Sequence, residues 1–154
     1  MTASRSWLPR ALALGAAAAA PLLYGHSAQA DDEESVATNV IEFETQNRND
    51  KGVVRCGLFN SERAWLKETF RPSIVKISGK TARCIFKEVP AGVYGISAFH
   101  DEDNNGKINT NLVGYPTEQY CSSNDARNMF SAPSWKDAKF KYKGGTVRLR
   151  GVMK

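Results

Sequence analysis

Apolar residues recur at every second position in short runs along this chain, as in Val54, Cys56 and Leu58, then Ala82, Cys84 and Phe86, then Tyr94, Ile96 and Ala98. A strand sends alternate side chains to opposite faces, so this period gives each run one face for a core and one for solvent. Gly, Pro, Asn and Asp punctuate the runs, and the pattern predicts strands near 37–45, 52–60, 71–78, 81–89, 92–100, 137–143 and 146–153. About seven short strands in one domain's length predict an all-β fold: a single antiparallel β-sandwich, immunoglobulin-like or transthyretin-like, with one long irregular loop. Turn chemistry at Asn49-Asp50-Lys51-Gly52, Ser78-Gly79-Lys80 and Pro90-Ala91-Gly92 supports the joints. Lys143-Gly144-Gly145-Thr146 reads as a tight hairpin pairing the last two strands as neighbours. Only Ser61 to Thr69 has a briefly helical look, with Trp65 as a small cap on the sandwich.

Arg5 and Arg10 precede an apolar, alanine-rich stretch from Ala11 to Leu23, and Ala28-Gln29-Ala30 supplies the small residues of a signal-peptidase site. Residues 1–30 therefore read as a signal peptide, 31–36 as a flexible acidic start, and 37–154 as the β-sandwich domain. The apolar stretch is short for a membrane span, so the expected location is periplasmic or extracellular, with no span left after cleavage. The chain carries +5 formal charge; without Arg5 and Arg10 it holds 19 basic residues against 16 acidic ones, or +3. That mild excess is spread over Lys136, Lys139, Lys141, Lys143, Arg148 and Arg150, where alternation makes a solvated sheet face and not a nucleic-acid surface.

Three cysteines in an exported chain predict one disulfide and one thiol left over. Cys56 and Cys84 share the parity of the apolar residues in their runs, both would point inward, and they are the expected pair. Cys121, in the polar run Gln119-Tyr120-Cys121-Ser122-Ser123, has no nearby basic residue to lower its pKa and reads as incidental.

From Asp101 to Lys136 no period is evident, and an insertion of this length carries function or folds over the core. Tyr115, Pro116, Tyr120, Phe130, Pro133 and Trp135 would anchor it. It opens on His100-Asp101-Glu102-Asp103-Asn104-Asn105-Gly106-Lys107-Ile108-Asn109, which sets oxygen-bearing side chains two apart around a turn glycine. Helix-flanked calcium loops use positions 1, 3, 5, 7, 9 and 12, with glycine at 6. Asp101, Asp103 and Asn105 fill the first three, Gly106 allows the bend, Lys107 offers its carbonyl and Asn109 coordinates directly or through water. Position 12 is Leu112, where a bidentate carboxylate is required, so Asn111 or Glu118 would have to complete the set. A weak calcium site and a wide Asx-type turn both stand as readings.

The run Gly92-Val93-Tyr94-Gly95-Ile96, the acidic stretch from His100 to Lys107, Gly114-Tyr115-Pro116-Thr117-Glu118 and Ser123-Asn124 together resemble the bacterial domain of unknown function 2141 family. The likeness extends from the Gly52 run through Ala132-Pro133-Ser134-Trp135-Lys136-Asp137-Ala138-Lys139-Phe140 to the closing strands, and departs from the family pattern at Gln119 and Cys121. It implies an exported all-β domain of sandwich type, and no reaction or ligand.

His100 is the one histidine after residue 30, and its neighbour Asp101 points to the opposite strand face, so the pair is no relay. Ser122 and Ser123 lack a glycine-framed nucleophile turn. The favoured expectation is a non-catalytic module of the cell envelope that binds an unknown ligand or envelope partner where the long loop lies. The rival is an envelope hydrolase using Asp101, Asp103 and Glu118.

Overall fold

The computed structural model describes residues 39–128 and 131–154. The signal peptide, the acidic start, the first residues of the strand expected from 37, and Phe130 lie outside the described residues. Eight strands build two sheets: β1 (Val40–Gln46), β2 (Val53–Phe59), β3 (Arg71–Lys76), β4 (Thr81–Phe86), β5 (Gly92–Asp101), β6 (Tyr120–Ser122), β7 (Phe140–Tyr142) and β8 (Thr146–Val152). One sheet has the order β4-β1-β8, and the other runs β3-β2-β5-β6, with β7 also paired to β5. The fold is an all-β sandwich.

The period of two is what joins the layers. Ile41 and Phe43 of β1, with Ala82, Cys84 and Phe86 of β4, are buried against Val54, Cys56 and Leu58 of β2 and Tyr94, Ile96 and Ala98 of β5 in one apolar core. Cys56 and Cys84 are joined by a disulfide, so the expected pairing is present and it staples one sheet to the other. Close packing leaves no side-chain room at Gly151 and Gly95, among other glycines. A Cβ on Gly151 of β8 would stand 2.4 Å from the Phe43 ring and 2.6 Å from Cys121 Sγ; one on Gly95 would stand 2.9 Å from both Trp65 and Trp135.

On the outer face of the smaller sheet the register sets Glu42 opposite Arg148, and Glu44 between Arg150 and Arg83. The pairs Arg148–Glu42 at 3.0 Å, Arg83–Glu44 at 2.9 Å and Arg150–Glu44 at 3.4 Å follow, a solvated ladder of exposed arginines as the alternation implied. The Arg83 guanidinium hydrogen-bonded to Glu44 holds that carboxyl below its ordinary range.

Four expectations need correction. The last two strands do not pair with each other: β7 joins β5 through Tyr94↔Phe140, and β8 runs parallel to β1 through Phe43↔Leu149. Gly144 and Gly145, at φ +102° and +78°, do make a sharp turn, but Gly145 N–H donates to Asn39 Oδ1 and Val40 N–H to Gly145 O, which steers β8 into the opposite sheet. That β1–β8 pair also makes the smaller sheet mixed rather than antiparallel. Ser61 to Thr69 forms consecutive turns instead of a helix, because Leu66 takes φ +57°. The helix α1 (Trp135–Ala138) occupies the start of the strand expected from 137, capped by Ser134, whose Oγ accepts from Asp137 N–H at 3.2 Å.

Candidate functional site

β5 delivers its last residues into the acidic turn. His100 is fully buried at the core edge, where its Nε2–H donates to the Lys51 carbonyl at 2.7 Å. Asp101, on the other face, is also fully buried. Its Oδ1 accepts from Asn105 N–H at 3.0 Å, and its Oδ2 accepts from Gly106 N–H at 2.9 Å and Arg55 Nε at 2.5 Å. Gly106 meets this geometry with φ +82°. Burial pushes the Asp101 carboxyl up, but the Arg55 guanidinium and the Gly106 and Asn105 amides outweigh it and hold the group below the usual carboxylate range.

The remaining candidates close around that carboxylate. Asp103 Oδ2 accepts from the amides of Asn105 and Asn109 at 2.9 Å each, and Asn105 Oδ1 accepts from Lys107 N–H at 2.8 Å. Glu118 reaches in from beyond the loop, its two oxygens accepting from Glu102 N–H and Asn109 N–H at 2.9 Å each. One oxygen from each of Asp101, Asp103 and Glu118 lies within 4.8 Å of the others. Leu112 does not join them. It stands fully in solvent at the tip of a loop shaped by Asn111, whose Oδ1 accepts from Val113 and Tyr115 N–H. Beside the turn, Glu102 pairs with Arg48 and accepts from Asn49 Nδ2.

Between this turn and the edge strand β3 a cleft of about 620 Å³ opens on the outer face of the five-stranded sheet. Ser97 of β5 lies on its floor, and beside it the side chains of Thr69 and Phe59 cover Gly57, its register partner on β2. Phe59, Leu66 and Ile74 form one side, and Phe99, Ile108 and Tyr115 another. Arg55 lines it as well, and among the described residues no carboxylate does. The sequence signal for it was present but scattered: Phe59, Ile74 and Phe99 are apolar residues on the outward parity of their strands.

The scan against protein-family models matches residues 44–150 to the family described as "Uncharacterized protein conserved in bacteria (DUF2141)". The chain belongs to this family. The matched span of the DUF2141 domain holds both bridged cysteines, the acidic turn and every residue lining the cleft. No curated protein and no solved structure matches the chain.

Two further residues of the DUF2141 domain are placed by packing. Ser123, at the start of a 3-10 turn, is a buried staple: its Oγ accepts from Ile96 N–H at 2.8 Å and donates to the Ala138 carbonyl at 2.6 Å. Cys121 lies in β6 and not in a loop; it is a free, buried thiol, which burial and nearby Asp125 push up to about 12. A thiol so held is protonated at neutral pH and is a poor nucleophile. Trp65 and Trp135 cap the sheet with Phe59, and Trp65 Nε1–H donates to the Pro133 carbonyl at 2.7 Å, tying the long excursion to the turns after β2. Among the described residues, no helix is long and apolar enough to cross a membrane.

Proposed function

We propose that this DUF2141 protein is an exported, non-catalytic binding module of the cell envelope, and that its binding surface is the cleft on the outer face of the five-stranded sheet. The observation that carries the reading is the cleft itself: its 620 Å³ falls within the range of about 300 to 1,000 Å³ common to small-molecule sites, and its lining is apolar and aromatic around a few polar groups. Apolar side chains left exposed in one place mark a surface built to be covered. Export is supported by the basic-then-apolar pattern of residues 5–23 and the Ala28-Gln29-Ala30 site, and by a disulfide between layers. The hydrolase alternative has less support, because Asp101 is sealed from solvent with its oxygens engaged by Arg55, Gly106 and Asn105.

The test is a neutral apolar dye. Nile red should bind the purified protein saturably with a rise in fluorescence. Ser97→Trp, which fills the floor from the outward face, should abolish the rise while leaving the melting temperature within about 2 °C, as surface substitutions do. Absence of saturable binding to the wild type overturns the reading.

A weak calcium site in the 101–111 turn is a second reading, favoured by the convergence of Asp101, Asp103 and Glu118 within 4.8 Å. With three carboxylates and the carbonyl of Lys107 and the amide of Asn109 as further donors, its affinity belongs to the extracellular range of roughly 0.1 to 1 mM. Calcium at about ten times that range should raise the melting temperature of the wild type and not of Asp103→Ala. No rise in the wild type removes the ion and leaves a turn held by its own hydrogen bonds.

A further inference from the structure

We infer that the ligand of the cleft is an acyl-chain amphiphile with a planar, singly charged head group, a long-chain carboxylate, lying with its head at Arg55. This rests on the cleft being the binding surface, and it names what that surface selects.

Among the described residues, Arg55 is the one charged residue that lines the cleft. Its Nε is committed to Asp101 Oδ2 at 2.5 Å, which fixes the guanidinium in place, and among the described residues its two Nη nitrogens hold no hydrogen bond. The side chain keeps 27 % of its surface exposed and lines the cleft, with Nη2 resting beside Gly106. A guanidinium with Nε occupied and both Nη atoms available presents two parallel N–H donors, the spacing that a carboxylate accepts in bidentate fashion. Because Asp101 already balances the charge of Arg55, a head group is recognised by those two hydrogen bonds more than by net attraction. Asp103 and Glu118, crowded near Asp101, add repulsion that grows with ligand charge. A carboxylate carries one negative charge; a phosphate monoester carries about 1.5 to 2 at pH 7 and meets more of that repulsion. From Arg55 the lining continues over Ser97 and along the Thr69 methyl, Phe59 and Leu66, with no further charged residue among the described lining residues, which suits an aliphatic tail.

The experiment is displacement of bound Nile red by three probes of one chain length, laurate, dodecanol and dodecyl phosphate, each below its micelle concentration. Laurate should displace the dye at concentrations about tenfold lower than either of the others, equivalent to about 1.4 kcal/mol. In the double variant Arg55→Met/Asp101→Asn, which removes the guanidinium without stranding a buried carboxylate, laurate and dodecanol should become equivalent. Equal displacement by all three in the wild type, or a laurate preference that survives in the double variant, overturns the head-group assignment. Nile red binding with no displacement by any probe rejects the acyl class while the cleft remains a binding surface. No binding of Nile red at all rejects both.

Discussion

Replacing Cys56 and Cys84 together by alanine should lower the stability by about 3 to 4 kcal/mol, the loop-entropy value for a cross-link of this span. The bonded residues are 28 apart and belong to different sheets, so the bridge restricts the unfolded chain more than a local one would. For a domain of this size such a loss corresponds to roughly 10 °C in melting temperature. Both cysteines are buried, Cys84 completely, so a mild reductant should leave the native bond intact and attack it on unfolding. Urea unfolding of the wild type and the double variant measures the effect. A loss below about 1 kcal/mol would mean that the unfolded chain gains little freedom when the bridge is removed.

Arg55→Met should cost about 2 to 4 kcal/mol at pH 7, somewhat less than breaking a fully buried pair because Arg55 is partly exposed. The loss comes from Asp101, left as a buried carboxylate with only the Gly106 and Asn105 amides for partners. The pH dependence has a definite sign. Asp101 is held below its ordinary range in the folded protein, so its contribution is fully present above the unfolded carboxylate pKa of about 3.9 and is lost as pH falls through the lower folded value. Removing the guanidinium lets burial raise the folded pKa, and a protonated Asp101 needs no countercharge. The gap between wild type and Arg55→Met should therefore narrow as pH drops below about 4. Melting curves at pH 7 and pH 3 decide it: an equal gap at both would exclude Asp101 as the linked group. Arg55→Met/Asp101→Asn, with no buried charge, should recover part of the loss at pH 7.

Individual strands were legible because each carries its own instruction. In β2, β4 and β5 the apolar parity is unbroken, so the sequence alone places Cys56 and Cys84 on inward faces and pairs them. Partner choice is a different matter. Gly144-Gly145 encodes a reversal but not the strand that receives β8, and the deciding contacts come from Asn39, far away in sequence. β6 was missed because three residues are too few to show a period, and it is held by pairing with β5 and by Tyr120 N–H to the Lys154 carbonyl. At the acidic turn, the gathering of Asp101, Asp103 and Asn105 follows from their spacing, whereas the sequence left Asn111 and Glu118 as alternatives and only the fold brings Glu118 to the turn, from outside that spacing. The cleft could not be read this way. Its lining comes from outward positions on three strands together with the excursion, and an isolated outward Phe or Ile looks the same as any surface apolar residue until the register places them side by side.

The parallel pairing of β8 with β1 sets a schedule for folding. Glu42 and Arg148 are 106 positions apart and lie side by side, so the central strand of the smaller sheet lacks one neighbour until β8 has been made. Pairings over such a distance require closing a long loop before any contact repays it, which slows folding and raises the relative contact order. A chain truncated before Thr146 should collapse around β2, β4 and β5 yet leave the Phe43 side of β1 uncovered, with a bare strand edge open to a neighbouring molecule. Pairing of β8 then both completes the smaller sheet and covers the edge of β1.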